Sequence, residues 1–146
     1  MILYKNGNLF ESNAQTLTNT VNCVGIMGKG IALEFKSRFP EMYRDYVSRC
    51  KNKQVQLGKP YLYKQSNPCV LNFPTKGHWK TQSDLQDIIH GLVFLENNYK
   101  DWGITSLAVP ALGCSNGQLK WAVVKPIMQE YLEKFDILVE IFTPLN

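Results

Sequence analysis

Two short stretches concentrate the residues that could hold an anion. NCVGIMGKGIALEF, residues 22–35, sets Gly25, Gly28, Lys29 and Gly30 between an apolar run and a helix-like pattern. PALGCSNGQL, residues 110–119, repeats the arrangement with Gly113, Ser115, Asn116 and Gly117. Glycine removes the side chain, so backbone amides can come close to a ligand. A helix start adds unpaired N–H groups and the positive end of a dipole. Each such dipole contact is worth roughly 0.3–1 kcal/mol, so several must act together. Two amide-rich turns at one sheet edge could grip the two sides of a diphosphate.

Neither turn is one of the familiar phosphate loops. A P-loop requires GxxxxGK followed by Ser or Thr. Here Lys29 comes four residues after Gly25 and is followed by Gly30. A dinucleotide fingerprint requires GxGxxG, and Leu33 stands where its third glycine belongs. The first turn therefore reads as an anion cradle of another kind, with a ligand-free strand-to-helix turn as the alternative. The second turn favours the cradle.

The elements that position these turns follow from hydrophobic spacing. Residues 2–4, before the turn-like Asn6-Gly7-Asn8, and residues 18–23 are predicted strands. Ile31, Ala32, Phe35 and Phe39 recur at helical spacing, and Pro40 stops that helix. Residues 41–50 carry a second amphipathic set. Residues 59–63 and 68–73 read as adjacent strands joined by Gln65-Ser66-Asn67. Residues 83–99 give the clearest helix, with Leu85, Ile88, Ile89, Leu92, Val93 and Leu95 on one apolar face. Ser83 is its predicted cap, with Gln86 completing a capping box. Residues 105–109 form a strand closed by Pro110. Residues 121–135 form a helix with Val124, Ile127, Met128, Tyr131 and Leu132 inward and Pro126 about one turn in. Residues 137–142 form a last buried strand. This alternation predicts a three-layer α/β/α fold around a mixed, largely parallel sheet. Such sheets take ligands at the carboxyl ends of their strands. Loops 25–30, 74–80 and 110–117 should meet there.

Composition bounds the function without choosing it. The 146 residues suit one domain, 1–146, and no linker, repeat or low-complexity run divides them. The first residues are too briefly apolar for a signal peptide, and no window suits a membrane span. A cytoplasmic monomer is expected. Cys23, Cys50, Cys69 and Cys114 are dispersed with no CxxC pair, and the histidines are His78 and His90 alone. Free thiols, no metal and no cofactor are the expectation. The net charge of +4 favours an anionic ligand or nucleic acid without specifying either.

Several motifs resemble the macrodomain family over essentially the whole chain. They are Gly7-Asn8-Leu9, Thr20-Val21-Asn22-Cys23 with Gly28-Lys29-Gly30-Ile31-Ala32, Val109-Pro110 and Leu112-Gly113-Cys114. MGKGIALEFK, NFPTK, HWK and GCSNGQLKW are similar to the DNA ADP-ribosyl glycohydrolase antitoxins of bacterial toxin–antitoxin pairs. They are similar, more distantly, to the terminal ADP-ribose protein glycohydrolase. The resemblance implies the macrodomain fold, ADP-ribose as ligand and product, and ADP-ribosylated DNA or protein as substrate. It also implies a cognate ADP-ribosyltransferase toxin as partner. Its implied ADP-ribose contacts are Asn8, Leu9, Asn22, Gly28, Lys29, Gly30, Ile31, Ala32, Thr75, Leu112, Gly113, Cys114, Ser115, Asn116, Gly117 and Phe142. Asn8 would accept from the adenine amino group, Asn22 would lie near the distal ribose, and Phe142 would either pack on adenine or serve as an ordinary core residue. Lys76 matches the catalytic lysine. The protein-acting relative pairs that lysine with an Asp in the second loop, and here that place falls on Gly117.

The implied reaction frees ADP-ribose from a nucleobase, thymidine-linked by the resemblance, or from a carboxylate. As an amine, Lys76 could attack the opened sugar and form a Schiff base. As an ammonium, it could protonate or stabilise the leaving group, and a nearby diphosphate favours that form. A DNA strand also needs stacking and charge, which His78, Trp79, Lys80 and Tyr43 could supply. Lys80 rivals Lys76 for the catalytic post, though its place near a helix start suits a phosphate contact better. A non-catalytic ADP-ribose reader, an ADP-ribose 1″-phosphate phosphatase and a generic nucleotide-binding domain are the alternatives.

Overall fold

The computed structural model describes residues 1–144. Six strands and four helices alternate along them: β1 (Ile2–Lys5), β2 (Thr16–Asn22), α1 (Gly30–Arg38), α2 (Pro40–Lys51), β3 (Tyr61–Tyr63), β4 (Cys69–Lys76), α3 (Leu85–Asn98), β5 (Ser106–Pro110), α4 (Trp121–Leu132) and β6 (Leu138–Phe142). One sheet runs in the order β1-β6-β5-β2-β4-β3. Every pairing is parallel except β3 with β4. The parallel strands therefore end at one edge, as expected for an α/β/α domain.

Strand alternation sorts the core into two halves. On one face Leu71, Phe73, Leu107, Val109, Val139 and Ile141 pack under α3 and α4. On the other, Leu17, Val21 and Val70 pack against Phe35 of α1 and Met42 and Tyr46 of α2. Each large apolar side chain withdrawn from water stabilises the fold by about 1.5–3 kcal/mol. Helix α3 approaches the sheet closely at Gly91, where an added Cβ would lie 2.6 Å from Phe73 Cε1. That contact explains a glycine in mid-helix.

Several local expectations are corrected. Ser83 does not cap α3. Asp84 does, its carboxylate accepting from the Gln86 amide at 2.8 Å, because Ser83 is buried and its own N–H is spent on Gly117 O. Val93 turns outward, off the apolar face. Pro126 is the sixth residue of α4, deeper than a first-turn proline, and its exposed position leaves the unpaired carbonyl of the preceding turn to water. Strand β4 runs through Pro74 to Lys76, past the expected end at Phe73. A 3-10 turn at Leu9–Glu11 follows β1, too short to leave a periodic signal in the sequence. No helix among the described residues is long and apolar enough to cross a membrane.

Candidate active site

A cleft of about 1270 Å³ opens at the carboxyl ends of β2, β4, β5 and β6. The three expected loops meet in it. Its walls include Asn8, Leu9, Asn22, Gly28, Lys29, Gly30, Ile31, Ala32, Thr75, Lys76, Gly113, Cys114, Ser115, Asn116, Gly117 and Phe142, with Trp79 and Lys80 at one side. Leu112, His78 and Tyr43 lie off these walls. Leu112 is fully buried in the α3/α4 core and anchors the second loop from below. Tyr43 sits behind the first loop, its hydroxyl donating to Gly25 O at 3.4 Å and its ring beneath Lys36. The cleft also takes in Phe10, Ile26 and Gln118. Phe10 lies in the unforeseen 3-10 turn, its ring between Phe35 and the Arg38 guanidinium. Nothing in the sequence pattern marks Gln118.

The first loop is built on Asn22. The β2–β4 register shifts between Val21 and Asn22, which frees the Asn22 side chain from strand geometry. Its Nδ2 donates to Ile26 O at 2.7 Å. Its Oδ1 accepts from the Val24 and Ile26 amides and from the Tyr46 hydroxyl, the last at 2.8 Å. Tyr46 is wholly buried in α2, and the same hydroxyl lies 2.8 Å from Asn22 O. The turn is thus folded around one amide side chain, itself held by one buried phenol. Past it, no side chain caps the start of α1. The first amides of a helix have no intrahelical partner, so they are free to meet an anion.

The second loop is shaped by exclusion. An added Cβ at Gly117 would lie 2.6 Å from Gly113 O and overlap Ser83 Oγ. Gly113 itself has φ +73, and its carbonyl accepts from Leu119 N at 2.8 Å. No side chain fits at 117, so no carboxylate can stand there. Burial pushes the Cys114 thiol up to about 11, which keeps it protonated and a poor nucleophile.

Lys76 ends β4 and joins two of the loops. Its Nζ donates to Trp79 O at 3.0 Å and to Asn116 O at 3.1 Å. Burial, and after it the Lys29 cation, hold its pKa below the ordinary lysine value. The ionisable walls are cationic at Lys29, Lys76 and Lys80. Among the described residues the one lining carboxylate, Glu34, is paired with Arg38 at 2.7 Å. At the other end, Asn8 Oδ1 accepts from Phe10 N at 2.9 Å and keeps one lone pair for a ligand donor. Phe142 is a buried β6 residue whose edge still reaches the cleft. No cluster of three or more His, Cys, Asp or Glu suited to a metal occurs among the described residues.

The Macro domain family matches residues 18–128. A DNA ADP-ribosyl glycohydrolase of Thermus aquaticus is 39% identical over 100% of this chain and 42% of its own length. A DNA ADP-ribosyl transferase-DNA ADP-ribosyl glycohydrolase fusion protein of Thermosipho africanus is 44% identical over 96% of this chain and 41% of its own. The solved structure of Thermosipho africanus DarTG in complex with ADP-ribose superposes with a TM-score of 0.95 at 45% identity, covering 99% of this chain and 42% of that one. The chain therefore spans about two fifths of these relatives.

Proposed function

The chain belongs to the Macro domain family, and we propose that it is an ADP-ribosyl glycohydrolase that frees ADP-ribose from a modified DNA base, thymidine-linked, with Lys76 as the catalytic group. Two amide-rich loops converge on one cleft, and a lysine held by two main-chain carbonyls stands where they meet. That observation carries the reading. The names and ADP-ribose complex of the similar proteins support it. Gly28–Ala32 and Gly113–Gly117 would enclose the diphosphate and distal ribose, and Asn8 and Phe142 would receive adenine. The partner class is an ADP-ribosyltransferase, by analogy with the fusion relative.

The chemistry is substitution at the anomeric carbon of the distal ribose. The bond from that carbon to the base nitrogen breaks and its electron pair leaves with the base. A water oxygen bonds to the carbon. The Lys76 ammonium gives a proton to the base, and the proton lost by the water restores it. General acid catalysis of this kind contributes about 10²–10⁴-fold. Both carbonyl acceptors stabilise the ammonium and leave its third proton for the leaving group. A carboxylate ester leaves as a stable anion without such help. Exclusion of any side chain at Gly117 also removes the natural seat for a general base. Both points favour the base-linked substrate over the protein-linked one.

The test is a substrate panel of ADP-ribosylated thymidine oligonucleotide, ADP-ribosylated glutamyl protein and ADP-ribose 1″-phosphate, run with the wild type and Lys76→Ala. Base release lost in the variant, with ADP-ribose binding retained, is the expected result. Binding without turnover on all three substrates would make the protein a reader and overturn the proposal.

A further inference from the structure

We propose that the side of the cleft beyond Lys76 is a subsite for the departing nucleobase, in which Trp79 offers a stacking face and Gln118 donates to a base carbonyl, with Lys80 meeting the strand's phosphate. This assignment rests on the glycohydrolase reading above and names the half of the substrate that reading leaves unplaced. Pockets for drug-sized ligands run to about 300–1,000 Å³. The cleft, at about 1270 Å³, exceeds that range, and Trp79, Lys80, Thr81 and Gln118 line it together with Lys76.

Trp79 is tied to Lys76 by its own carbonyl, which accepts from the Lys76 Nζ at 3.0 Å. The residue is nonetheless 43% exposed. The His78 ring stacks beside it at 5.4 Å and 29°, and that histidine's Nδ1 accepts from the Lys80 amide at 3.1 Å, so the short segment is braced from within. Lys80 Nζ lies 5.0 Å from the indole centroid. A cation resting on an exposed aromatic face can be exchanged for a base, and the released ammonium for a phosphate contact.

Gln118 carries the second, independent observation. Its φ is +64, a left-handed conformation that a side chain other than glycine adopts only under constraint. The constraint comes from both sides: its N–H donates to Ser115 O at 3.2 Å, and its Oε1 accepts from Gln82 Nε2 at 2.9 Å. With that oxygen engaged and the residue on the cleft wall, the Gln118 Nε2 is left to donate. A pyrimidine with carbonyls beside its glycosylated nitrogen accepts such a bond. Negative charge grows on that carbonyl as the glycosidic bond breaks, so the bond strengthens toward the transition state. An exocyclic amino group at the same place would meet a donor with a donor.

Trp79→Leu, Lys80→Gln and Gln118→Gly test the subsite, the last because glycine accepts φ +64 while removing the side chain and its amide. Each is assayed for base release from an ADP-ribosylated thymidine oligonucleotide and, by calorimetry, for binding of free ADP-ribose. Trp79→Leu and Gln118→Gly are expected to lower kcat/KM at least tenfold with ADP-ribose affinity within twofold of wild type. Lys80→Gln should flatten the salt dependence on the oligonucleotide. Variants within twofold of wild type in base release, or losing ADP-ribose affinity in equal measure, overturn the subsite alone. No base release by the wild type overturns the glycohydrolase reading, and the subsite with it.

Discussion

Tyr46→Phe deletes one buried oxygen and nothing else. That hydroxyl lies 2.8 Å from both Asn22 O and Asn22 Oδ1, under a turn in which the same side chain also bonds Val24 N and Ile26 O. Burial, the first cause, drives its pKa far above the ordinary tyrosine value, so it remains a donor throughout the working range. One proton serves two acceptors, and Oδ1 keeps the Val24 and Ile26 amides after the deletion. The loss is therefore that of one neutral hydrogen bond, about 1 kcal/mol. For a domain of this size that lowers Tm by about 3–4 °C. If Tyr46 positions the first loop, a comparable part of that energy reappears as weaker ligand binding, about fivefold in the Kd for ADP-ribose. Differential scanning fluorimetry and calorimetry read the two quantities on one preparation. A fall in Tm with unchanged Kd would refute the positioning role and leave Tyr46 as core packing. A rise in Kd of a hundredfold would refute the magnitude, since one neutral bond cannot supply it.

Lys76→Gln shortens the side chain by one bond, keeps an N–H donor and removes the transferable proton, so base release should fall by about 10²–10⁴-fold while ADP-ribose still binds; single-turnover kinetics beside calorimetry check this. The pH profile carries a sign. Burial and Lys29 depress the Lys76 pKa below 10.5, so kcat/KM should fall as pH rises through that lowered value, and Lys29→Gln should move the falling limb upward. Activity that climbs with pH in the same range would instead identify the free amine as the reacting species. Gly91→Ala should destabilise by about 1–3 kcal/mol despite alanine's better helix propensity, because its methyl has to displace the Phe73 ring; urea denaturation measures it, and a stabilised variant would refute the close packing.

What the sequence made legible was whatever a periodic or compositional signal encodes. Helix α3 and the buried strands β4 and β5 announce themselves by apolar spacing, and the glycine turns by the absence of side chains. Three kinds of feature were hidden. The 3-10 turn that brings Phe10 to the cleft is too short to have a period. Ser83 looks like a cap because Ser and Gln stand three apart, yet tertiary contact with Gly117 takes its amide and passes capping to Asp84. Gln118 carries no signal, because its left-handed backbone is imposed by a loop whose shape depends on residues far along the chain. Resemblance supplied Lys76, which composition would have left among surface lysines. It also named Leu112, whose backbone belongs to the loop while its side chain belongs to the core.

The cleft's electrostatics are incomplete without an anionic ligand. Lys29 and Lys76 face the same space, the lining carboxylate is committed to Arg38, and the Lys76 ammonium is weakened by burial and by its neighbour. A bound diphosphate would oppose this lowering: it offsets the Lys29 cation and favours the ammonium directly. The Lys76 ammonium would therefore hold its proton more firmly in the complex than in the free protein. The limb of kcat should accordingly lie at higher pH than that of kcat/KM, since the former reports the enzyme–substrate complex and the latter the free protein. On the proposed mechanism the diphosphate would be an anchor and also the counter-charge that keeps the Lys76 proton in place until the base departs.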